Sequence, residues 1–328
     1  MQLIIIGVNG LVGQEFIKLI EQDDYSSKNI VFVGSERTKG SNLKFINKNF
    51  IIITLDQLNW EKDSIYINCA DGEQAKFIDS KMSKNSILID NSSYFRLNEN
   101  VPLVIPEINF PKGTNRIYAN PNCSTIILNL LMKPLFDKFG IKRVVVSTYQ
   151  AASGAGKSGL DELLTQTKEC VDNLDKLTTN FWGKQYIHNT FVHNTPINIS
   201  NGYNEEECKI MNETKKIFNK NIPITSTCIR VPVLRSHCES VNIELEKSTN
   251  YEELLDVLNK TYYLEVLDDK EKRIFPESIT SNNRIKVQVG HIRKDLSLED
   301  GFGWNFWISG DQLLRGAAGN AYLILKEL

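Results

Sequence analysis

Apolar positions change their period along the chain. Gln2–Val8 is a near-continuous apolar run, followed after a glycine-rich loop by Leu11, Val12, Phe16, Leu19 and Ile20 at helical spacing. Ile30–Gly34, Ile65–Ala70 and Ile87–Asp90 repeat the short apolar run, and Gly72–Met82 reads as a helix between the last two. Strands apolar throughout are buried on both faces, so this alternation predicts βαβ units and a mostly parallel sheet. Pro and Gly become frequent from Val101 to Pro121. Beyond them the pattern predicts a long helix from Ser124 to Phe139, disturbed at Pro134, and a β-branched strand over Lys142–Gln150. Helical stretches around Gly159–Leu174 and Asn204–Phe218 mix with extended Ser226–Val233, Val241–Glu246 and Arg284–Ile292, an α+β pattern. Asn42–Asn49 reads as a polar loop. Gly310–Leu328 reads as a helix whose apolar face must pack on one of the domains. The fold class expected is α/β: a Rossmann-type dinucleotide-binding domain over 1–122 plus 310–328, and a second α+β domain over 123–309.

Bulk composition narrows the partners. The 328 residues hold 38 Lys+Arg against 40 Asp+Glu, a net charge of −2, which offers no footprint for nucleic acid or an anionic membrane. No apolar run approaches the ~18–20 residues of a membrane span, and the opening segment reads as a buried strand rather than a signal peptide. The six cysteines (69, 123, 170, 208, 228 and 238) are dispersed without a CxxC pair, which fits reduced thiols in a cytoplasmic protein. His188, His193 and His291 show no metal-ligand spacing and read as structural or surface groups, so no metal is expected.

Local chemistry begins at the first βα turn. Gly7-Val8-Asn9-Gly10-Leu11-Val12-Gly13 spaces glycines as Gly-x-x-Gly-x-x-Gly directly after the first strand. Glycines let the backbone approach a pyrophosphate, whose charge the start of the helix stabilises. At the end of the second strand, Ser35, Arg37 and Thr38 suit a 2′-phosphate, which favours NADP, while Glu36 keeps NAD as the alternative. A second glycine-rich stretch, Ser153-Gly154-Ala155-Gly156-Lys157-Ser158, mimics a P-loop but has Ala151 where the first glycine is required. Its small residues, Ser153 and Gly154 among them, are read as backbone approaching the cofactor.

Cys123 is the candidate nucleophile. In Asn120-Pro121-Asn122-Cys123-Ser124-Thr125 it stands at a helix start, where unsatisfied N–H groups and the dipole stabilise a thiolate. With it, a run of motifs spanning the chain resembles the aspartate-semialdehyde dehydrogenases. These are Gly7–Gly13, Ser35–Gly40, Asp90–Arg96, Asn120–Ser124, Gln150–Gly156, Glu206-Glu207-Cys208-Lys209, Arg230-Val231-Pro232-Val233 with His237, and the terminal Asp311–Asn320. Asn9 and Gln312 depart from the residues usual there, Thr and Asn, but keep a hydrogen-bonding side chain.

The resemblance implies an NADP-dependent reductive dephosphorylation of aspartyl phosphate to aspartate semialdehyde, a step in lysine, threonine, methionine and isoleucine synthesis. It implies Cys123 as the nucleophile, His237 as an acid/base titrating near neutrality, and Gln150 as the amide that orients substrate or thiol. The substrate's charges match Arg230 for the carboxylate, Glu206 for the ammonium, and Arg96 and Lys209 for the phosphate. Asn122 joins the substrate set. Gly7, Asn9, Gly10, Leu11, Val12, Gly13, Ser35, Arg37, Thr38, Ser153, Gly154 and Gln312 form the cofactor set. Residues 123–309 become a catalytic and dimerisation domain, so a homodimer is expected, with a tetramer as the alternative. Two other readings stand beside this one: an N-acetyl-γ-glutamyl-phosphate reductase, and a catalytically silent homologue. Counting back from Lys209 favours Glu206 over Glu207 as the residue facing the substrate.

Overall fold

A computed structural model describes residues 1–23, 29–171 and 174–328. Within it the chain divides into two compact units, 1–122 with 317–328, and 123–316.

In the first unit, β1 (Gln2–Ile6), β2 (Ile30–Val33), β5 (Ser64–Asn68), β6 (Ile87–Asp90) and β7 (Ile117–Ala119) form a five-stranded parallel sheet among the described residues. Its order is β2-β1-β5-β6-β7. Helices α1 (Leu11–Gln22) and α2 (Gly72–Lys81) make the crossovers. The order reverses between β1 and β5, and ligands of such sheets bind at the carboxyl ends of the strands at that point. Phe16, Ile17 and Ile20 of α1 are buried against Ile5 and Phe32, with Ala321, Ile324 and Leu325 of the C-terminal helix (Gly319–Lys326) in the same core. Burial of each large side chain contributes about 1.5–3 kcal/mol.

The expected polar loop at Asn42–Asn49 is instead a hairpin of β3 (Asn42–Phe45) and β4 (Lys48–Ile51). Ile46 and Asn47 take φ of 43° and 58°, the two left-handed positions of a tight hairpin turn. Its asparagines lie outside, while Phe45 and Phe50 meet Phe32 edge-on at 5.5 and 5.2 Å. Two phenylalanines anchor what polarity alone leaves a loop.

In the second unit, α4 (Cys123–Phe139) runs unbroken with Pro134 inside it, so the expected disturbance does not end the helix. It is buried almost throughout and packs on β11 (His237–Leu245) of a seven-stranded sheet among the described residues. That sheet has the order β12-β13-β14-β11-β8-β10-β9, where β8 is Ile141–Gln150, β9 Phe191–Val192 and β10 Ile224–Arg230. Its other strands are β12 (Leu264–Val266), β13 (Val287–Lys294) and β14 (Gly303–Gly310). Helices α5 (Gly156–Glu169) and α6 (Glu205–Phe218) follow β8 and β9. The helix expected over Gly159–Leu174 thus closes at Glu169, and residues 172–173 of that stretch lie outside the described residues.

The terminal segment differs most from its periodicity. Gly310 ends a strand, and the Asp311 carboxylate accepts the N–H groups of Leu313 and Leu314 at 3.0 Å each. A wide π-turn, Leu314–Ala318, then precedes the final α-helix. Residues 310–316 therefore belong to the second unit, and the return to the first begins at Ala317 rather than at 310.

Candidate active site

Register brings the candidate groups of the second unit to one end of its sheet. Gln150 and Arg230 close the parallel strands β8 and β10 side by side, and His237 opens the antiparallel β11 at the same edge. All three are buried and lie on the face that carries Val146, Thr148 and Val241, since side chains two apart share a face. Cys123 is the first residue of α4 and half-buried. Gln150 Nε2 donates to Ser124 Oγ at 3.0 Å and to Glu206 Oε1 at 3.3 Å. One amide thus joins the residue beside the thiol to the acid on α6.

The backbone of Ala151 organises the basic groups. Its N–H donates to His237 Nδ1 at 3.0 Å, and its carbonyl accepts from Arg230 Nη1 at 3.1 Å. A Cβ on Gly154 would lie 3.0 Å from His237 Nε2 and 3.2 Å from Arg230 Nη1, so this glycine makes room for both side chains. His237 Nε2 and Arg230 Nε have no hydrogen-bond partner among the described residues, although both are buried. Such groups wait for a partner the protein does not itself supply.

Electrostatics refines the role expected of His237. Burial, and then the Arg230 charge, push its pKa down to about 3, so it is neutral rather than poised near neutrality. With Nδ1 accepting, its proton sits on Nε2. Arg230 also interacts electrostatically with Glu206 and Cys123. Burial pushes the thiols of Cys69 and Cys238 up to about 12 and 11, and that of Cys228 upward as well. Those three remain protonated.

The α6 N-terminus separates its two glutamates. Asn204 and Glu207 form a reciprocal cap, and Glu207 Oε1 also accepts the Cys228 N–H at 3.0 Å. Glu207 is committed to structure. Glu206, also buried, meets Gln150 and stands 3.3 Å from Lys209 Nζ. Gln312 accepts the Ser236 N–H at 2.7 Å and donates to Ser153 Oγ, which ties the Ser153–Gly154 loop to the residue before His237.

Three further groups adjoin the site that the sequence reading does not place there. His193, expected to be structural or on the surface, is buried within electrostatic reach of Arg230, Glu206 and Lys209, and burial lowers its pKa to about 4. Its Nδ1 is 3.1 Å from Thr195 Oγ1, which accepts the Glu206 N–H at 3.3 Å. A Cβ on Gly316 would lie 2.7 Å from the Cys123 Cβ, so the π-turn presses directly on Cys123. Trp182 lies over Arg230, its ring centroid 5.5 Å from the guanidinium carbon. No sequence spacing marks these three, because each comes from a distant segment.

The first unit holds the remaining candidates. Parallel pairing of Ile6 with Val33 sets the glycine loop beside the end of β2, and Gly7 N–H donates to Val33 O at 2.9 Å. A Cβ on Gly13 would run into Gly7 O, so this glycine is required for the turn itself. The N-terminus of α1, where Gly10 caps Leu11, Val12 and Gly13, has no side-chain cap. A Cβ on Gly34 would run into Thr38 Oγ1 and lie 2.9 Å from Asn9 Oδ1, so Gly34 lets these two polar side chains converge. Ser35 and Arg37 are exposed beside them in sequence, and the Glu36 carboxylate stands 3.5 Å from Lys39 Nζ. This donor set fits an anionic dinucleotide. Arg96 donates to Asn91 O at 2.8 Å next to buried Asp90, and Asn122 is buried at the end of the unit.

The comparisons agree across the whole chain. A family model described as semialdehyde dehydrogenase, NAD binding domain, matches residues 2–115, and one described as semialdehyde dehydrogenase, dimerisation domain, matches 132–315. The aspartate-semialdehyde dehydrogenase of Aquifex aeolicus is 37% identical over 99% of this chain and 96% of its own length. That of Helicobacter pylori is 38% identical over 98% and 96%. The chain belongs to the aspartate-semialdehyde dehydrogenase family. Among solved structures, aspartate semialdehyde dehydrogenase II of Vibrio cholerae complexed with ASA matches with a TM-score of 0.91 at 32% identity, over 99% of this chain and 98% of that one. The family is one of oxidoreductases, and its two parts are an NAD(P)-binding Rossmann domain and a dimerisation domain. Among the described residues no helix is long and apolar enough to cross a membrane.

Proposed function

We propose that the protein catalyses the reductive dephosphorylation of L-4-aspartyl phosphate to L-aspartate 4-semialdehyde with NADPH, releasing phosphate, and the reverse oxidation. The observation that carries this reading is the Gln150 amide, bonded both to Ser124 beside Cys123 and to Glu206. It couples a thiol at a helix start to a buried carboxylate, Glu206, suited to an ammonium. A free amino group of that kind favours aspartyl phosphate over an N-acetylated acyl phosphate.

Cys123 thiolate attacks the acyl carbon, the C–O bond to phosphate breaks, and a thioester forms as phosphate leaves. NADPH, when bound, supplies the hydride that reduces the thioester. His237 donates its Nε2–H to the oxygen of the resulting tetrahedral carbon, and because the ring is neutral it acts as a hydrogen-bond donor held ready. Collapse breaks the C–S bond, releases the aldehyde and restores the Cys123 thiolate. Arg230 holds the α-carboxylate, Glu206 the ammonium, and Arg96, Lys209 and Asn122 the phosphoryl end of the substrate.

For the cofactor, the uncapped start of α1 over Gly7, Gly10, Leu11, Val12 and Gly13 suits the pyrophosphate. Asn9, Ser35, Arg37 and Thr38 suit a 2′-phosphate. Glu36, the residue that would favour NAD, is exposed and beside Lys39, which supports NADP. Ser153 and Gly154 join the cofactor set in this reading, with Gln312 acting through Ser153. One face of the second unit's sheet, carrying Ser147, Tyr149, Ser240, Asn242, Asn305 and Trp307, is only half-buried, which supports a homodimer. Six cysteines dispersed along the chain without a CxxC pair suit the reducing cytoplasm.

The test is NADPH formation from aspartate semialdehyde, NADP and phosphate or arsenate. Wild type is expected to be active and Cys123→Ala to lose several orders of magnitude. An unimpaired Cys123→Ala variant would refute the thioester route.

A further inference from the structure

We infer that Trp182 is a positioning residue for Arg230, holding the guanidinium in place so that its Nε edge meets the substrate's α-carboxylate. The inference rests on the proposed substrate and adds to it the element that sets selectivity for a carboxylate-bearing aldehyde.

The indole is fixed from several directions. It is 5% exposed, and its Nε1–H donates to Gly159 O at 3.0 Å. The Glu162 carboxylate accepts the N–H of Phe181 at 2.6 Å and that of Trp182 at 3.0 Å, which locks the turn that carries the ring. Tyr186 packs edge-on at 4.5 Å. A Cβ on Gly159 would lie 2.8 Å from Trp182 Cζ2, so the helix beneath the ring has been cleared for it.

Against this shelf, each surface of Arg230 has a separate use. A guanidinium stacks through its face and hydrogen-bonds in its plane. The Arg230 Cζ stands over the indole ring, 5.5 Å from its centroid. The Ala151 carbonyl takes Nη1. Nε has no partner among the described residues and is buried, which leaves an in-plane edge of the fork for a planar, bidentate acceptor. An arginine side chain has four rotatable bonds, and one hydrogen bond to Ala151 does not fix the plane of its head. The indole under Cζ supplies the second restraint. Desolvation at this site strengthens the contact relative to an exposed one.

A ring that merely fills the core would affect every substrate alike, and the experiment separates the two roles. Kinetics in the oxidative direction compare aspartate semialdehyde with 3-aminopropanal, which keeps the aldehyde and the ammonium but lacks the carboxylate. Where turnover of 3-aminopropanal is too slow, its inhibition constant is measured instead. Trp182→Leu is expected to raise KM for aspartate semialdehyde about 10-fold, the order of one desolvated cation–π contact. Its kcat is expected to change less than about threefold and binding of 3-aminopropanal to stay unchanged. Trp182→Phe is expected to recover most of the loss. If Trp182→Leu does not fold, Trp182→Phe carries the test through a rise of about threefold confined to the carboxylate substrate. Equal penalties on both aldehydes, or none on aspartate semialdehyde, would overturn the role of Trp182. Failure of the wild type to oxidise aspartate semialdehyde would overturn the proposed function instead.

Discussion

The backbone N–H of Ala151 donates to Nδ1 of His237 at 3.0 Å, leaving the imidazole proton on Nε2 beside Gly154 and Arg230. A main-chain group sets the tautomer of the proposed acid, so no carboxylate partner is needed to orient the ring. The same contact ties the end of β8 to the start of β11, and any shift of that register would misplace Gln150 and His237 together.

His237 and His193 give stability a definite pH dependence. Their folded pKa values, about 3 and about 4, lie below the ordinary 6.5. Between about pH 4 and 6.5 the unfolded chain therefore binds more protons at these sites, and stability falls as pH drops through that window. Each histidine is expected to contribute a loss on the order of 2 kcal/mol between pH 7 and pH 5. Urea unfolding of His193→Gln should show a shallower acid decline than wild type. An identical slope would rule out a neutral, buried His193.

Glu239 acts in the opposite sense. It is fully buried on β11 with neither carboxylate oxygen partnered among the described residues, and burial holds its pKa well above the ordinary value. Such a group stabilises the fold below the unfolded pKa and loses that contribution as pH rises. Glu239→Gln is expected to unfold at a higher temperature than wild type at pH 8, with the gap closing toward pH 5. Calorimetry across that range decides it, and a lower melting temperature at pH 8 would count against a neutral Glu239.

Glu206 and Glu207 should separate function from stability. Glu206→Gln is expected to raise KM for aspartate semialdehyde at least about 10-fold with little change in melting temperature, since it removes a charge that the substrate would meet. Glu207→Gln removes the charge from a helix cap and from the bond to the Cys228 N–H, and is expected to cost about 1–2 kcal/mol with KM preserved. Steady-state kinetics and chemical denaturation of the pair distinguish them.

Gly316→Ala should disable the site without unfolding the protein. The added methyl would lie 2.7 Å from the Cys123 Cβ and 3.0 Å from its Cα, so the wide turn Leu314–Ala318 yields by displacing Cys123, the proposed nucleophile. We expect a fall in kcat of about 100-fold, the scale of a 1 Å misplacement, with a stability loss of about 1–3 kcal/mol. Activity within a few-fold of wild type would show that the turn can move independently of Cys123.

In the proposed function, one exposed loop sets the choice of NADP over NAD. Arg37→Ala is expected to raise KM for NADP about 10-fold or more while KM for NAD changes little, because a charge-assisted bond to the 2′-phosphate has no counterpart in NAD. Equal changes for both cofactors would remove Arg37 from phosphate recognition.

The chain's own order was enough for local periodicity and local chemistry. Apolar runs at β1, β2, β5 and β6, the glycine turn before α1, and the thiol at the start of α4 are encoded within a few residues each. Each could be read without knowing what lies beside it in space. The hairpin at Asn42–Ile51 escaped because its two anchoring phenylalanines matter only against Phe32, and the π-turn escaped because Asp311 overrides a helical pattern. Cross-chain matters were decided by tertiary structure alone: that Glu207 is consumed as a cap, that His193 and Trp182 adjoin Arg230, and that Ala151 and Gly316 shape the site through backbone and empty space. Burial and hydrogen-bond partnership depend on segments far apart in sequence, and a residue's type carries no record of which neighbour the fold will give it.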